Sequence, residues 1–192
     1  MPAPTVAFGL YESIYHYLQT QGISEREVCE ALGIKNKQEG ALFGRVPLSL
    51  YEHAMIAAEM LTGDAAVGFH MGKTALPATF GVFYLLSIAG DDLTKIVAAI
   101  ARYFPLMYDF ISLNMNVDSE KLSIEFNYAQ HRRPHRHVVE HIFSGWYTTA
   151  DQLNFDEEKV PRTLYLAQNN YCAESVLKSI FHQTPVHFDQ PE

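Results

Sequence analysis

The sequence predicts an α+β domain in which a helical N-terminal half packs against a small antiparallel sheet of order β-β-α-β-α-β. Three observations support this fold class. Apolar residues recur at helical spacing through the first 104 residues, the period changes to two in residues 109–130, and helix and strand patterns alternate afterwards. We therefore expect one domain over residues 1–192, with its helical part at about 1–104 and its sheet-containing part at about 105–192.

Four helices are expected before residue 75. The first lies in "LYESIYHYL" and ends at Gly22. Ser24 and Glu27 form a capping box for the second, in "SEREVCEAL". The third begins at Ser49 and runs to Gly63, and a short fourth lies in "DAAVGFHMG".

Two apolar segments lead from the helices to the sheet. "FGVFYLLSIAG", residues 80–90, is apolar on all sides, which indicates a buried helix. The next helix begins near Asp92 and ends at Pro105, because proline disfavours helix in the residue before it.

Strict alternation then predicts a β-hairpin. In "ISLNMNV" and "LSIEFNY" the apolar residues share one face of each strand, and the polar "DSE" between them marks the turn. A long helix follows Pro134, then a strand in "PRTLYLAQ", a helix in "YCAESVLKSIFHQ" and a last strand in "PVHF". These elements give the β-β-α-β-α-β order.

Composition narrows the function classes. The net charge is −8, from 14 Lys+Arg against 22 Asp+Glu, which disfavours phosphate neutralisation and hence DNA binding by this chain. Cys29 and Cys172 stand far apart without metal-ligand spacing, as expected of reduced thiols in a cytoplasmic protein. The start resembles no signal peptide, and no apolar run reaches ~18 residues, so we expect a cytoplasmic location and no membrane contact.

The stretch "GISEREVCEALGIK", residues 22–35, resembles the first half of a helix-turn-helix motif. A recognition helix would have to follow, but "KNKQEGALFGRVPLS" is interrupted by Gly40, Gly44 and Pro47. We therefore interpret this stretch as a core helix rather than a DNA-reading one.

"HVVEH", residues 137–141, fits the inverted zinc-protease signature H-x-x-E-H. Histidines four residues apart share a helix face and could bind Zn²⁺ with Glu140 as the base. However, the predicted core face places His137 nearly opposite its centre and His141 well off it. We therefore expect a solvated, histidine-rich helix start, and an exposed loop in the basic run "HRRPHRH" before it.

Several short stretches occur in a recognisable order. They are "LTGD" at 61–64, "GFHMG" at 68–72, "FG" at 80–81, "LTKIVAAIARY" at 93–103, the hairpin, "PRTLYLAQ", and "FHQTPVHF" at 181–188. The series resembles the N-terminal effector domain of AraC-type transcription regulators, in the subgroup labelled the arabinose-binding-domain type. It spans roughly residues 10–188, and "HRRPHRH" departs from the family pattern.

The resemblance implies a ligand-sensing regulatory domain. It would bind a small-molecule effector and control a C-terminal domain with two helix-turn-helix motifs, which is absent from this chain. A homodimer is plausible because DNA half-sites usually come in pairs. We expect no enzyme activity, no catalytic residues, no metal and no cofactor.

Effector pockets are mostly apolar, with a few polar groups that fix orientation. Tyrosine and tryptophan supply both properties, and a nearby cation could meet an acidic effector. We expect Tyr84 and Trp146 to line one cavity between the helical half and the sheet, although each such residue could simply be core. The candidate ligand-binding residues are Phe80, Phe83, Tyr84, Arg102, Tyr103, Tyr108, Trp146 and Tyr147.

Two alternatives stay open. The chain could be a stand-alone small-molecule or haem sensor with a buried histidine such as His70 as the ligand. It could also be a zinc hydrolase that acts through His137, Glu140 and His141.

Overall fold

The computed structural model describes residues 3–74, 93–117, 122–128, 133–152 and 162–189. It confirms the α+β class. Its helices in these ranges are α1 (Phe8–Thr20), α2 (Glu25–Leu32), α3 (Leu48–Thr62), α4 (Val67–Lys73), α5 (Leu93–Tyr103), α6 (Arg136–Gln152) and α7 (Glu174–Phe181). The buried helix predicted for residues 80–90 lies outside the described residues.

The strands form three separate two-stranded pairs in the described ranges, rather than one antiparallel sheet. They are β1 (Thr5–Ala7) with β2 (Arg45–Pro47), β3 (Ile111–Val117) with β4 (Leu122–Tyr128), and β5 (Leu164–Tyr165) with β6 (Val186–His187). The first two pairs are antiparallel and the last is parallel, which corrects the predicted antiparallel sheet. β1 and β2 were not predicted from the sequence, because three residues are too few to show an alternating pattern.

The hairpin is the element that the pattern predicted best. Ile111 pairs with Tyr128 and Val117 with Leu122, in unbroken antiparallel register. Leu113 and Phe126 lie opposite each other and pack against the larger hydrophobic core. The apolar face therefore turns inward, as the alternation predicts.

Helix starts show one prediction confirmed and one corrected. Ser24 and Glu27 form the expected capping box at α2, and Gly33 ends that helix in the left-handed conformation. α3 begins at Leu48, after Pro47, and not at a capped Ser49. The side chain of Glu52 turns instead toward α6, where Oε1 accepts the backbone N–H of His135 at 2.9 Å.

Two hydrophobic clusters make up the described core. The larger joins α1, α2, α3 and the hairpin and contains the buried Tyr51 and Tyr108. The smaller joins α4, α6 and α7 and includes Phe69, Tyr147 and Phe181. α6 contributes to both clusters, so this helix has two buried sides.

Two glycines bring α4 into backbone contact with α6. A Cβ on Gly68 would lie 2.5 Å from the carbonyl oxygen of His137, and one on Gly72 would lie 2.6 Å from that of His141. Ser144 adds a hydrogen bond from Oγ to the Phe69 carbonyl at 2.6 Å. The "GFHMG" spacing therefore serves close helix packing.

Among the described helices, none combines the length and the apolar character needed to cross a membrane.

Candidate functional site

Two of the proposed ligand-binding residues meet in one group of rings. Phe104 stacks edge-on against Trp146, with ring centroids 5.7 Å apart, and lies 5.3 Å from Tyr108. Phe126 on β4 lies 5.6 Å from the Trp146 ring. We call Phe104, Tyr108, Phe126 and Trp146 the aromatic cluster. It lies where the hairpin meets α6 and brings Tyr108 and Trp146 into one neighbourhood, whereas the proposed cavity between Tyr84 and Trp146 involves a residue outside the described ranges.

The other proposed residues have different surroundings. Tyr103 is 39% exposed, and the exposed Arg102 places its guanidinium 5.5 Å from the Tyr103 ring. Tyr147 lies in the smaller core, where its hydroxyl donates to the Phe181 carbonyl at 3.0 Å. Phe80, Phe83 and Tyr84 lie outside the described residues.

The largest correction concerns "HVVEH". The sequence predicted solvated histidines, but His137 and Glu140 are fully buried and His141 is 1% exposed. A one-faced helical wheel fails here because α4 covers the side of α6 that the wheel assigned to solvent. His137 and His141 both point to α3, and we call these two residues with Tyr51 and Glu59 the α3–α6 seam.

His137 contacts two carboxylates. Its Nδ1 lies 2.8 Å from Oε2 of Glu140, and its Nε2 lies 2.8 Å from Oε2 of Glu59. Ionised carboxylates only accept hydrogen bonds, so both ring nitrogens must donate. A ring that donates from both nitrogens carries two N–H groups, so this geometry indicates that His137 is an imidazolium.

Arg136 completes this charge cluster and corrects the exposed-loop prediction. Its guanidinium donates to Oε1 of Glu59 at 2.9 Å, to Oε1 of Glu140 at 3.3 Å and to the Ala65 carbonyl at 2.7 Å. Burial raises the pKa of Glu59, but the hydrogen bond from His137 and the nearby positive charges outweigh it and hold that pKa below its ordinary value. The positive charges of Arg136 and His137 therefore balance the negative charges of Glu59 and Glu140 in this cluster.

The same cluster reaches the C-terminal part of the fold. Gln168, which follows β5, donates from Nε2 to Oε1 of Glu140 at 2.9 Å. The ring of Tyr171 lies 4.7 Å from the Arg136 guanidinium carbon. One partly buried network thus connects α3, α6 and the segment before α7.

This geometry removes the basis of the zinc alternative. Both nitrogens of His137 face carboxylate oxygens, and Nδ1 of His141 faces Tyr51, so the two rings do not converge on one point. Within the ranges that the structure describes, no three His, Cys, Asp or Glu side chains are placed to bind a metal ion.

The haem alternative assumed that His70 is buried, and the structure corrects this assumption. Its side chain is 31% exposed, and its Nδ1 lies 2.6 Å from Oδ2 of Asp64. Asp64 also accepts the Ala66 N–H at 2.9 Å in the turn that precedes α4. The pair is a surface contact that supports a helix end.

His141 differs from His137. Its Nδ1 lies 2.7 Å from the hydroxyl of Tyr51, and Tyr51 in turn hydrogen-bonds to Tyr108 of the aromatic cluster. Burial lowers the pKa of His141 to about 4, so this ring is neutral at physiological pH. The sequence analysis did not consider Tyr51, and it considered His141 only as a zinc ligand on a solvated helix face. The signal that could have found His141 is the glycine spacing of α4, which predicts a second buried side on a partner helix.

The described residues form an α+β domain with an aromatic cluster and buried polar groups on one long helix. Comparison with protein families identifies the class of this domain. Residues 22–192 match the family described as "Arabinose-binding domain of AraC transcription regulator, N-term". The chain belongs to this family, as the ordered stretches predict, and it is an effector-binding regulatory domain. No curated protein sequence matches the chain significantly.

Proposed function

We propose that this domain binds a small-molecule effector beside the aromatic cluster and thereby controls an attached C-terminal DNA-binding domain. The family match over residues 22–192 carries the proposal. The half-buried Trp146 and the buried Tyr108 in that cluster support its position, because such rings offer apolar surface with polar handles. Phe80, Phe83, Tyr84, Arg102, Tyr103 and Tyr147 remain proposed contributors.

Control requires that the effector bind one state of the full regulator more tightly than the other. The hairpin and α6 both contribute to the aromatic cluster, and α6 also contributes to the smaller core with α7. An effector held by Trp146 would therefore act on the helix that joins both cores. We propose that the regulator works in the cytoplasm as a homodimer and reaches DNA only through its helix-turn-helix domain.

Trp146 is the only tryptophan of the chain, so its fluorescence reports on the aromatic cluster alone. The test titrates the domain with neutral sugars including L-arabinose, aromatic alcohols and aromatic carboxylates, and measures full-length DNA binding with the same compounds. We expect one chemical class to change both signals. Full-length DNA binding that responds to a compound without any change in Trp146 fluorescence would contradict the proposed position.

Variants place the site more precisely. Trp146→Phe in the full-length regulator should weaken the response at least tenfold, and Tyr165→Phe, at an exposed ring of β5, is the matched control. Arg102→Gln should weaken the response to carboxylates only, because the exposed guanidinium can pair with an anion. Equal weakening for neutral and acidic compounds would remove Arg102 from the site.

A further inference from the structure

One polar atom of His141 lies in the core without a partner among the residues that the structure describes. This atom, Nε2, makes no hydrogen bond to any of them, and the side chain is only 1% exposed. Only one other buried side-chain atom of the described residues, Oε1 of Gln168, shares this condition. Buried polar groups in native proteins nearly always find a partner, so an exception needs a physical reason.

The other ring nitrogen of His141 has a partner, since Nδ1 lies 2.7 Å from the Tyr51 hydroxyl. The backbone of His141 is also closely packed, because Gly72 allows α4 to contact its carbonyl oxygen. The ring is buried, and rotating it to bring Nε2 toward water would break the 2.7 Å contact between Nδ1 and Tyr51. Nδ1 and Nε2 lie on different edges of the imidazole ring, so Nε2 does not face the Tyr51 hydroxyl.

The chemistry of the missing partner follows from this environment. The His141 ring is neutral. It contacts the Tyr51 hydroxyl, which in turn hydrogen-bonds to the Tyr108 hydroxyl, and both of these groups are uncharged. A buried charge without a counter-charge is strongly disfavoured, which excludes an ionic group. A hydroxyl can both donate and accept, so it satisfies Nε2 in either tautomer.

We propose that Nε2 of His141 is the polar anchor of a binding site for an uncharged, hydroxyl-bearing small molecule, with Tyr51 and Tyr108 orienting the ring. The inference rests on the proposed function and names the class of effector that this core accepts. Tyr108 is shared with the aromatic cluster, since its ring lies 5.3 Å from Phe104. The apolar body of the bound molecule would then lie toward Phe104 and Trp146.

The test observes the ¹⁵N resonance of His141 Nε2 in the full chain. The panel holds phenol, benzyl alcohol, cyclohexanol and L-arabinose, with benzoate and inorganic phosphate as charged controls. We expect at least one neutral hydroxyl compound to shift this resonance with saturation and to raise the Tm, while both anions leave it unchanged. A resonance that no panel member moves indicates an internal water only and overturns the proposal, as does a response to the anions alone.

Variants separate this site from the proposed function. His141→Phe should weaken binding of the active compound at least tenfold, because it removes the proposed anchor atom. Tyr51→Phe should weaken binding only several-fold, because Nε2 is still present and only the group that orients the ring is lost. The exposed His53→Gln is the matched control and should bind as the wild type does. An effector that changes Trp146 fluorescence but not the His141 resonance overturns this site and leaves the proposed function intact. A compound that shifts the His141 resonance to saturation without altering DNA binding supports this site and overturns the proposed function.

Discussion

His137 and His141 lie one turn apart on α6 and are equally buried, yet their surroundings differ in kind. His137 donates from both nitrogens to carboxylates inside a balanced charge cluster. His141 has one nitrogen that contacts a tyrosine hydroxyl and another without a partner among the described residues. Fully paired buried charges fix an arrangement, whereas a half-paired neutral ring can still gain a hydrogen bond. The first histidine therefore joins helices, and the second is the one that we propose as a ligand contact.

Glu140→Ala breaks the His137 side of this comparison and has the largest expected effect. It leaves the imidazolium and Arg136 short of a carboxylate in the core, which costs about 3–5 kcal/mol of unfolding free energy. Urea denaturation followed by circular dichroism measures the change. Glu174→Ala is the control because its partner Lys178 is exposed, and it should match the wild type. A small loss for Glu140→Ala would show that the cluster is open to water.

The pH dependence of stability tests the His141 side. The folded pKa of about 4 lies below the ordinary value of 6.5, so the unfolded chain takes up a proton first as the pH falls. The stability that depends on His141 is therefore fully present above about pH 6.5. As the pH falls toward 4, the unfolding free energy decreases by about 3 kcal/mol. Denaturation curves across this range should fall less steeply for His141→Phe than for the wild type. His53→Gln should retain the wild-type slope, and parallel curves for His141→Phe and wild type would contradict a neutral His141.

Tyr51→Phe sharpens the comparison by removing the one hydrogen-bond partner that His141 has in the described part of the chain. The ring then has two unpaired nitrogens, which costs about 1–3 kcal/mol. Adding His141→Phe removes both polar groups, and the double variant should regain part of that loss. A double-mutant cycle on unfolding free energies gives the coupling directly. Additive losses would mean that the 2.7 Å contact contributes nothing.

Tyr171→Leu has the smallest expected effect, since it removes the ring over Arg136 at the edge of the charge cluster and one long, exposed hydrogen bond from Asn169. An exposed cation–π contact contributes about 0.5–1 kcal/mol. Tyr171→Phe keeps the ring and should show no loss in the same denaturation measurement. Equal losses for both variants would assign the effect to the hydroxyl.

Local signals predicted much of this fold. The capping box of Ser24 and Glu27, the hairpin of β3 and β4, and the extent of α6 each depend on neighbouring residues, so the sequence pattern is enough. The burial of His137 depends on Gly68, 69 positions earlier, which lets α4 approach the far side of α6. A helical wheel contains no such long-range information. The parallel pairing of β5 with β6 likewise depends on the placement of α7 between them.

The candidate site itself remains a prediction. Tyr108 and Trp146 were candidates because aromatic residues are plentiful near Pro105 and on α6, and their ring centroids lie 5.3 Å and 5.7 Å from that of Phe104. Tyr51 was not a candidate, and His141 was considered only as a zinc ligand, because a tyrosine in an amphipathic helix and a histidine in a zinc-like motif suggest other roles. Only the hydrogen bond between them, across 90 positions of sequence, gives the two residues a shared role.

The protonation states of the two histidines test the central comparison most directly. A ¹⁵N–¹H correlation spectrum of the histidine side chains at neutral pH distinguishes an imidazolium from a neutral ring at each position. We predict that His137 is protonated on both nitrogens and that His141 is protonated on one. A neutral His137 between its two carboxylates, or a charged His141, would contradict the account.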